Sequence, residues 1–144
     1  MDLFDVATAL PRGSRLVRQR SVSVTVDLPL YAVWYVLTDL AQYPDWEPRI
    51  VAISGLVKSR GRVTVLFADG RWSLFRVAQV ERLAGFRLRG AGIRRELAAR
   101  PLSDSRVEVT VTDVTWSHRP TLAEAAWPAD ELLEALARAA DRVP

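Results

Sequence analysis

The sequence predicts an α+β domain with seven antiparallel strands, two short helices after the first strand and a long helix at the C-terminal end. Apolar and polar residues alternate over residues 21–26, and strand-like runs recur six times between residues 50 and 116. Helical spacing replaces this pattern over residues 30–40 and again after residue 128. Because short turns join the six later runs, the sheet is mainly an antiparallel meander.

Length and composition are typical of one globular domain. The chain has 144 residues, and its 49% hydrophobic content is sufficient for a substantial core. We therefore expect a single domain over residues 1–144, with residues 1–14 as an accessory segment. Cysteine is absent, which excludes disulfides and thiolate metal sites.

The first ten residues carry Asp2 and Asp5 and lack both a basic leader and a long apolar run. This pattern argues against a secretory signal or a transmembrane helix, and we expect a cytoplasmic protein. The apolar residues between Leu3 and Leu10 predict a helix of one or two turns that ends at Pro11.

The charge balance argues against a nucleic-acid partner. Twenty basic and 17 acidic residues are interspersed, so the formal net charge is only +3. The densest basic run contains Arg12, Arg15, Arg18 and Arg20. We interpret this run as a solvated arm and strand face, with phosphate binding as the alternative.

Capping residues place the first helices after a strand at Ser21 to Val26. Asp27 is expected to cap the first helix and Pro29 to lie in its first turn. A second short helix is expected from Asp39 to Tyr43, before the prolines that follow. The apolar stripe of the first helix comprises Leu30, Val33, Trp34, Leu37 and Leu40.

Turn residues separate the later strands, of which the Asp69-Gly70 pair is the strongest hairpin signal. The closing helix begins near Pro128, which leaves residues 121–127 as a separate helical turn or an extended arm. The predicted strands are Ile50 to Val57, Val63 to Ala68, Trp72 to Val80, Phe86 to Arg89, Ile93 to Ala99 and Val107 to Trp116.

This order of elements, together with one specific segment, resembles the START-like superfamily. The segment runs from Val26-Asp27-Leu28-Pro29 through Val33-Trp34 to the stretch from Thr38 to Pro48. More narrowly, the chain is similar over residues 15–142 to the polyketide cyclase/dehydrase and lipid-transport group, the SRPBCC domains.

The resemblance implies a helix-grip fold, in which a curved sheet wraps around the long C-terminal helix. Such a fold leaves a cavity for sterols, lipids, polyketides or other hydrophobic ligands. The resemblance does not imply a reaction, because members include carriers, cyclases and proteins that act on ribosomes or quinones. Pro128 is expected to shorten the closing helix.

Turn geometry predicts which side chains face the cavity. If Asp69-Gly70 is a two-residue turn, Phe67 pairs with Trp72 and Val63 pairs with Arg76, so Arg76 lies on the apolar face. If Ala91-Gly92 is also a two-residue turn, Leu88 pairs with Arg95. The same register pairs Phe86 with Leu97 and Arg87 with Glu96.

Two arginines, Arg76 and Arg95, thus point towards the predicted cavity. A buried guanidinium is costly unless it is paired, so each should meet an acid or a polar ligand group. Asp113 is in phase with the valines of the last strand and is a possible internal partner. An Arg95–Asp113 ion pair, a bulge that turns an arginine outward and ligand binding therefore remain open alternatives.

Eight residues are predicted to contact the ligand, and none is predicted to be catalytic. His118 is the only histidine and is expected to be a loop residue, and no metal or cofactor site is expected. The tryptophans among the eight are alternatively core residues. The eight candidates are Tyr35, Trp46, Phe67, Trp72, Arg76, Arg95, Asp113 and Trp116.

Three functions follow from these observations. The first is binding or carriage of a hydrophobic or amphipathic small molecule, such as a lipid or polyketide, without turnover. The second is an aromatase/cyclase or dehydratase in which Arg76 and Arg95 polarise a ketone and Tyr35 or Asp113 moves protons. The third is a ribosome- or RNA-associated module that uses the basic run near Arg15. The oligomeric state is left open.

Overall fold

A computed structural model describes residues 17–143. The helix predicted between Leu3 and Leu10, together with Arg12 and Arg15, lies outside the described residues. In chain order the elements are β1 (Arg18–Val26), α1 (Leu30–Thr38), a 3-10 turn (Leu40–Gln42), α2 (Tyr43–Trp46), β2 (Ile50–Gly55), β3 (Arg62–Phe67), β4 (Trp72–Glu81), β5 (Gly85–Gly90), β6 (Ile93–Ser103), β7 (Arg106–Thr115), α3 (Leu122–Ala126) and α4 (Ala129–Ala140).

The seven strands form one antiparallel sheet in the order β1-β7-β6-β5-β4-β3-β2. Strands β2 to β7 are a meander, and β1 pairs with β7, so β1 and β2 are the two open edges. Helices α1 and α2 connect these edges, and α4 packs against β1 and β7. The predicted α+β architecture is confirmed, with two helices between the first two strands. The second helix begins at Tyr43 instead of ending there, because Pro44 lies in its first turn, where a missing N–H is tolerated.

The core lies between the concave face of the sheet and the helices. Along β3, Val63, Val65 and Phe67 are buried, whereas the residues between them are exposed. Helix α4 buries Leu132 and Leu136 against this face. At 12 residues α4 is the longest helix described. None of the helices in the part of the chain that the structure describes is long and apolar enough to cross a bilayer.

The first helix does not begin as the sequence predicts. Pro29 is the N-cap of α1, and no side chain caps the helix. Asp27, two residues earlier, instead accepts a hydrogen bond at Oδ1 from Arg106 Nε, at 3.1 Å. The prediction that Asp27 caps α1 is therefore wrong, because Pro29 takes the capping position and Asp27 is tied to β7.

The closing segment consists of two helices. Thr121 and Glu124 form a capping box, in which each side chain accepts a hydrogen bond from the other residue's backbone N–H. Helix α3 therefore begins at Leu122 and ends at Ala126, so of the two alternatives for residues 121–127 the structure has the helical turn and not the extended arm. Pro128 is the N-cap of α4, with Asp130 and Glu131 in the first turn, where acidic groups are favourable.

The β3–β4 turn contains three residues rather than two. Gly70 N–H donates to Phe67 O at 3.0 Å, Phe67 N–H donates to Arg71 O at 2.8 Å, and Gly70 has a φ of +88°. A type I turn followed by a left-handed glycine produces this three-residue loop. The loop shifts the register by one residue, so Leu66 pairs with Trp72 and Phe67 does not.

This shift reverses the face of β4. Val63 pairs with Phe75 rather than with Arg76, and Phe75 and Val77 are buried in the core. Trp72 and Arg76 therefore project from the convex face. The prediction that these two residues face the core is wrong, because a one-residue slip moves every side chain of a strand to the opposite face.

The β5–β6 turn is the predicted two-residue turn. Ala91 and Gly92 both have positive φ, of 52° and 84°, as a type I′ turn requires. Leu88 pairs with Arg95, and Arg87 pairs with Glu96, as predicted. Arg95 consequently points into the core.

Two glycines at neighbouring turns should respond differently to alanine substitution. At Gly70 an added Cβ meets nothing within 4 Å, so Gly70→Ala should cost only the left-handed conformation, about 1 kcal/mol. At Gly90 an added Cβ would lie 2.4 Å from the Leu74 carbonyl oxygen, so Gly90→Ala should cost at least twice as much. Urea unfolding measures both costs, and equal values would contradict the described β4–β5 contact.

Candidate functional site

A buried ion pair joins the centres of β6 and β7. Arg95 is fully buried and lies directly opposite Asp113. Its Nε donates to Asp113 Oδ1 at 2.7 Å, and its Nη2 donates to Oδ2 at 2.9 Å. This bidentate geometry satisfies both carboxylate oxygens and two of the three guanidinium nitrogens. The ion pair that the sequence offered as one alternative is therefore present.

Trp127 covers the buried guanidinium. The Arg95 guanidinium carbon lies 5.1 Å from the centroid of the Trp127 ring, a distance at which a cation is attracted to an aromatic face. The indole is 1% exposed and also contacts Phe67, Phe75 and Tyr43. Trp127 thus occupies part of the concave face on which the resemblance implied a cavity.

A buried carboxylate lies on the other side of Trp127. Glu47 is 1% exposed, and its Oε2 accepts a hydrogen bond from Trp127 Nε1 at 3.3 Å. Its Oε1 accepts one from the Arg49 backbone N–H at 3.1 Å. Burial raises the pKa of Glu47, although both hydrogen bonds oppose the shift. Burial also raises the pKa of Tyr43, whose hydroxyl donates to Leu37 O at 2.6 Å.

A cleft of about 390 Å³, which we term the charged cleft, opens beside the ion pair. Asp113 retains 13% side-chain exposure and therefore connects buried Arg95 with this cleft. The cleft lies between the β1–β7 edge and the corner where α3 meets α4. Its walls include Arg18, Arg20, Asp113, Thr115, Glu124 and Ala129.

The two arginines of the charged cleft differ in availability. Arg18 donates from Nη1 and Nη2 to the two Glu124 carboxylate oxygens, at 3.1 and 3.0 Å, and from Nε to Ser117 O at 3.0 Å. Despite the opposing effect of burial, this contact lowers the pKa of Glu124. Arg20 is 68% exposed, and among residues 17–143 the acidic group that it approaches is Asp130, at 3.7 Å. Arg20 is therefore the cation that a ligand can recruit most easily.

A second cleft, which we term the apolar groove, continues along the same edge. It has a volume of about 510 Å³. Val22 and Val24 of β1 and Leu133 and Ala137 of α4 form its apolar part, and Ser23, Glu134 and Arg138 also line it. Asp130 lies at its rim and is the residue that Arg20 approaches. The charged cleft and the apolar groove therefore adjoin at the Arg20–Asp130 contact.

Four of the predicted ligand-contacting residues lie on the inner side of the sheet or against its helices. Arg95 and Asp113 form the ion pair, and Phe67 packs against Trp127. Trp46 is partly buried and lies 4.6 Å from Tyr43, measured between ring centroids. Only Asp113 of these four lines the charged cleft.

The other four candidates lie elsewhere. Trp72 and Arg76 are on the convex face because of the β3–β4 register. Tyr35 is 66% exposed, because the apolar stripe of α1 turns Val33 and Leu37 inward instead. Trp116 follows the end of β7 and contacts Arg94 of the convex face. None of these four lines the charged cleft or the apolar groove.

The sequence prediction missed several residues of the site. Arg18 and Arg20 share the parity of Val22, Val24 and Val26, so alternation alone would have placed them on the inner face. Thr115 shares the parity of Asp113 in the same way. Trp127 and Glu124 carry no comparable signal, because their positions depend on how α3 folds back onto the sheet.

Comparison with known proteins gives structural matches only. No family model matches the sequence, and no curated protein matches it. The ZhuI aromatase/cyclase from a Streptomyces species superposes with a TM-score of 0.68 and 17% identity, covering 88% of this chain and 95% of that one. A START superfamily protein from Mycobacterium smegmatis gives 0.68 and 15%, covering 88% and 99%.

A protein from Mesorhizobium loti superposes with a TM-score of 0.75 at 14% identity, covering 88% of this chain and 99% of that one. The chain has a START-like helix-grip fold. Each match covers 88% of this chain, so the fold extends over most of it. At such low identities the matches show the fold alone and assign no role to any residue of this chain.

Removing one partner of the buried pair should be strongly destabilising. Asp113→Asn leaves the Arg95 guanidinium buried without a counter-charge and should lower the free energy of unfolding by about 3 kcal/mol. The matched control is Glu108→Gln, which opens the exposed Arg100–Glu108 pair between the same strands and should cost less than about 1 kcal/mol. Similar costs in urea unfolding would contradict the buried geometry.

The raised pKa of Glu47 predicts that its contribution to the free energy of unfolding depends on pH. Between the usual pKa of 4.5 and the raised value, the folded chain binds more protons than the unfolded chain. The contribution of Glu47 to stability should therefore fall as pH rises through this window. Urea unfolding at several pH values should show the stability of the wild type, relative to Glu47→Gln, decreasing with pH. A constant or increasing difference would contradict this assignment.

Proposed function

We propose that this chain binds a small amphipathic molecule, with the polar group in the charged cleft and the apolar part in the apolar groove. The observation that supports the proposal is that the two clefts lie next to each other along β1 and α4, on either side of the Arg20–Asp130 contact. Each volume lies within the roughly 300–1,000 Å³ typical of small-molecule sites. The ligand thus lies along the edge of the sheet rather than at the centre of the concave face, where Trp127 is packed.

The charged cleft favours a polar group that accepts hydrogen bonds. Arg20 is available because its contact with Asp130 is long and both side chains are at least half exposed. Opening such a surface pair costs little, about 0–1 kcal/mol. A carboxylate, sulfonate or phosphate can therefore replace Asp130 as the partner of Arg20, whereas Arg18 is already engaged by Glu124.

The apolar groove accommodates the apolar part of the proposed ligand. Val22 and Val24 are only partly buried, although they lie on the inner face of β1. A ligand chain placed against them and Leu133 removes apolar surface from water, at about 25 cal/mol per Å². This contribution favours molecules that have an alkyl or aromatic body attached to the polar group.

Binding without turnover is favoured over the cyclase hypothesis. A cyclase needs a polarising cation and a proton-transferring group at the same place. Tyr35 and Arg76, two of the four candidates, face solvent away from both clefts. The third, Arg95, already donates to both oxygens of the fourth, Asp113. The known neighbours include an aromatase/cyclase, but this chain does not bring the predicted catalytic set together.

The fluorescent amphiphile 1-anilinonaphthalene-8-sulfonate provides a direct test, since it combines a sulfonate with an aromatic body. We expect saturable binding to the folded wild-type protein. Arg20→Ala should weaken binding about tenfold, which corresponds to the loss of about 1.4 kcal/mol for one charge-assisted contact. Ala137→Glu should weaken it at least as much, because it places a carboxylate in the apolar groove.

The control for this titration is Arg142→Ala, which removes one exposed arginine outside both clefts. Circular dichroism should show that all three variants fold. If Arg20→Ala and Ala137→Glu bind the probe as tightly as the control, the proposed ligand position is wrong. Turnover of ketone or polyketide substrates by the wild type would instead revive the cyclase hypothesis.

A further inference from the structure

Four arginines form a continuous row across the convex face, on the opposite side of the sheet from the proposed ligand site. Arg62, Arg76, Arg89 and Arg94 come from β3, β4, β5 and β6, and each is the direct cross-strand partner of the next. Direct partners share a face, so all four side chains project outward. At about 4.8 Å between strands, this arginine row spans roughly 14 Å.

The arginine row lacks acidic partners within residues 17–143. None of the four side chains forms a salt bridge with another described residue. Glu96 is on the same face but lies opposite Arg87, in the neighbouring row. Like charges directly opposite one another are destabilising. Burial, together with the charges of Arg89 and Arg87, lowers the pKa of Arg94 accordingly. A bound polyanion would relieve this repulsion.

One indole lies at the end of the arginine row, and a second lies on the same face about four residues along β4. At its β6 end, the Arg94 guanidinium carbon lies 5.3 Å from the centroid of the Trp116 ring. Trp116 also lines a cleft of about 580 Å³ together with His118 and Arg119. On β4, Trp72 shares the outward face of Arg76 and is 66% exposed. The convex face therefore combines a line of cations with two accessible indoles.

We propose that the arginine row, together with Trp116 and Trp72, binds single-stranded nucleic acid. A line of guanidiniums matches a linear chain of phosphates, and exposed indoles can stack on bases that are not paired. A duplex fits less well, because the part of the chain that the structure describes places no helix or ribbon on the convex face that could enter a groove. An anionic membrane would need cations spread over a plane, whereas these form one line that leads to the Trp116 cleft.

This surface is not evident from the order of charged residues along the chain. Along the chain the acids and bases are interspersed, which argued against a nucleic-acid partner. Strand pairing sorts them by face, and it aligns four arginines that are far apart in sequence. The surface differs from the basic run for which phosphate binding was the alternative interpretation, since Arg18 and Arg20 lie on the concave side.

Fluorescence anisotropy with a labelled 15-nucleotide oligouridylate tests this inference. With four phosphate contacts, the affinity should fall about 50-fold between 50 and 200 mM NaCl. The double variant Arg76→Ala/Arg89→Ala should halve the slope of log affinity against log salt concentration, because it removes two of the four contacts. Trp116→Ala should weaken binding about tenfold with the slope unchanged, through lost stacking of about 1–3 kcal/mol.

The matched control is Arg82→Ala/Arg142→Ala, which removes the same charge from exposed positions outside the row. Its slope should equal that of the wild type, and an equal decrease in both double variants would show that only net charge matters. Parallel sedimentation with phosphatidylserine vesicles provides the competing outcome. Vesicle binding that depends on Arg76 and Arg89, without RNA binding at 50 mM salt, would overturn the nucleic-acid proposal in favour of a membrane surface.

Discussion

Strand pairing in this sheet decides which arginines are buried and which are exposed, because directly opposed residues must share a face. One row on the concave face runs from Arg20 through Asp113 and Arg95 to Leu88 and Val77. The arginine row of the convex face is built from the chain neighbours of these residues: Arg94 precedes Arg95, Arg89 follows Leu88, and Arg76 precedes Val77. The same register therefore produces a neutralised buried pair on one side and unpaired cations on the other.

The concave face tolerates a buried arginine because its contacts are nearly complete. Asp113 neutralises the Arg95 charge with two hydrogen bonds, and the Trp127 ring covers part of the guanidinium. Only Nη1 is buried without a hydrogen-bond partner among the described residues. A buried pair of this kind adds little net stability over an apolar pair, since desolvation offsets the attraction. The pair instead favours one register of β6 against β7, because any register that separated Arg95 from Asp113 would leave a buried charge without a partner.

Trp127 links this pair to the rest of the interior. The Arg95 guanidinium lies over the face of the Trp127 ring, and the indole N–H at the ring edge donates to Glu47. The Glu47 carboxylate is held by hydrogen bonds from Trp127 and from the Arg49 backbone. The loop before β2 and the segment before α4 are thus joined through one buried side chain. This arrangement holds the start of α4 near the corner between α2 and β2, and Ala129 in the first turn of α4 lines the charged cleft.

Much of the fold could be predicted from sequence, because alternation and helical spacing are local properties. The Arg95–Asp113 pair could be offered from sequence only as one of three alternatives, because the Ala91-Gly92 turn and the parity of β7 place both residues on one face without excluding a bulge or a ligand. The β3–β4 register could not be obtained in this way. Asp69-Gly70 fits a two-residue turn and also the end of a three-residue loop, since glycine accepts positive φ in both. The two loops differ by one residue, and that difference alone placed Trp72 and Arg76 on the wrong face.

Predicting the two proposed binding surfaces from the sequence requires several structural features to be predicted correctly at once. The arginine row depends on three successive strand pairings. A one-residue error in the predicted β3–β4 register is therefore enough to place its arginines on different faces. The charged cleft depends on the return of α3 and α4 to the sheet, which no periodicity encodes. The two surfaces are nevertheless separable, because truncating Arg76 or Arg89 leaves the adjacent core residues Val77 and Leu88 in place. A single sheet can therefore present two faces of different chemistry, because charge is neutralised on the side that is buried.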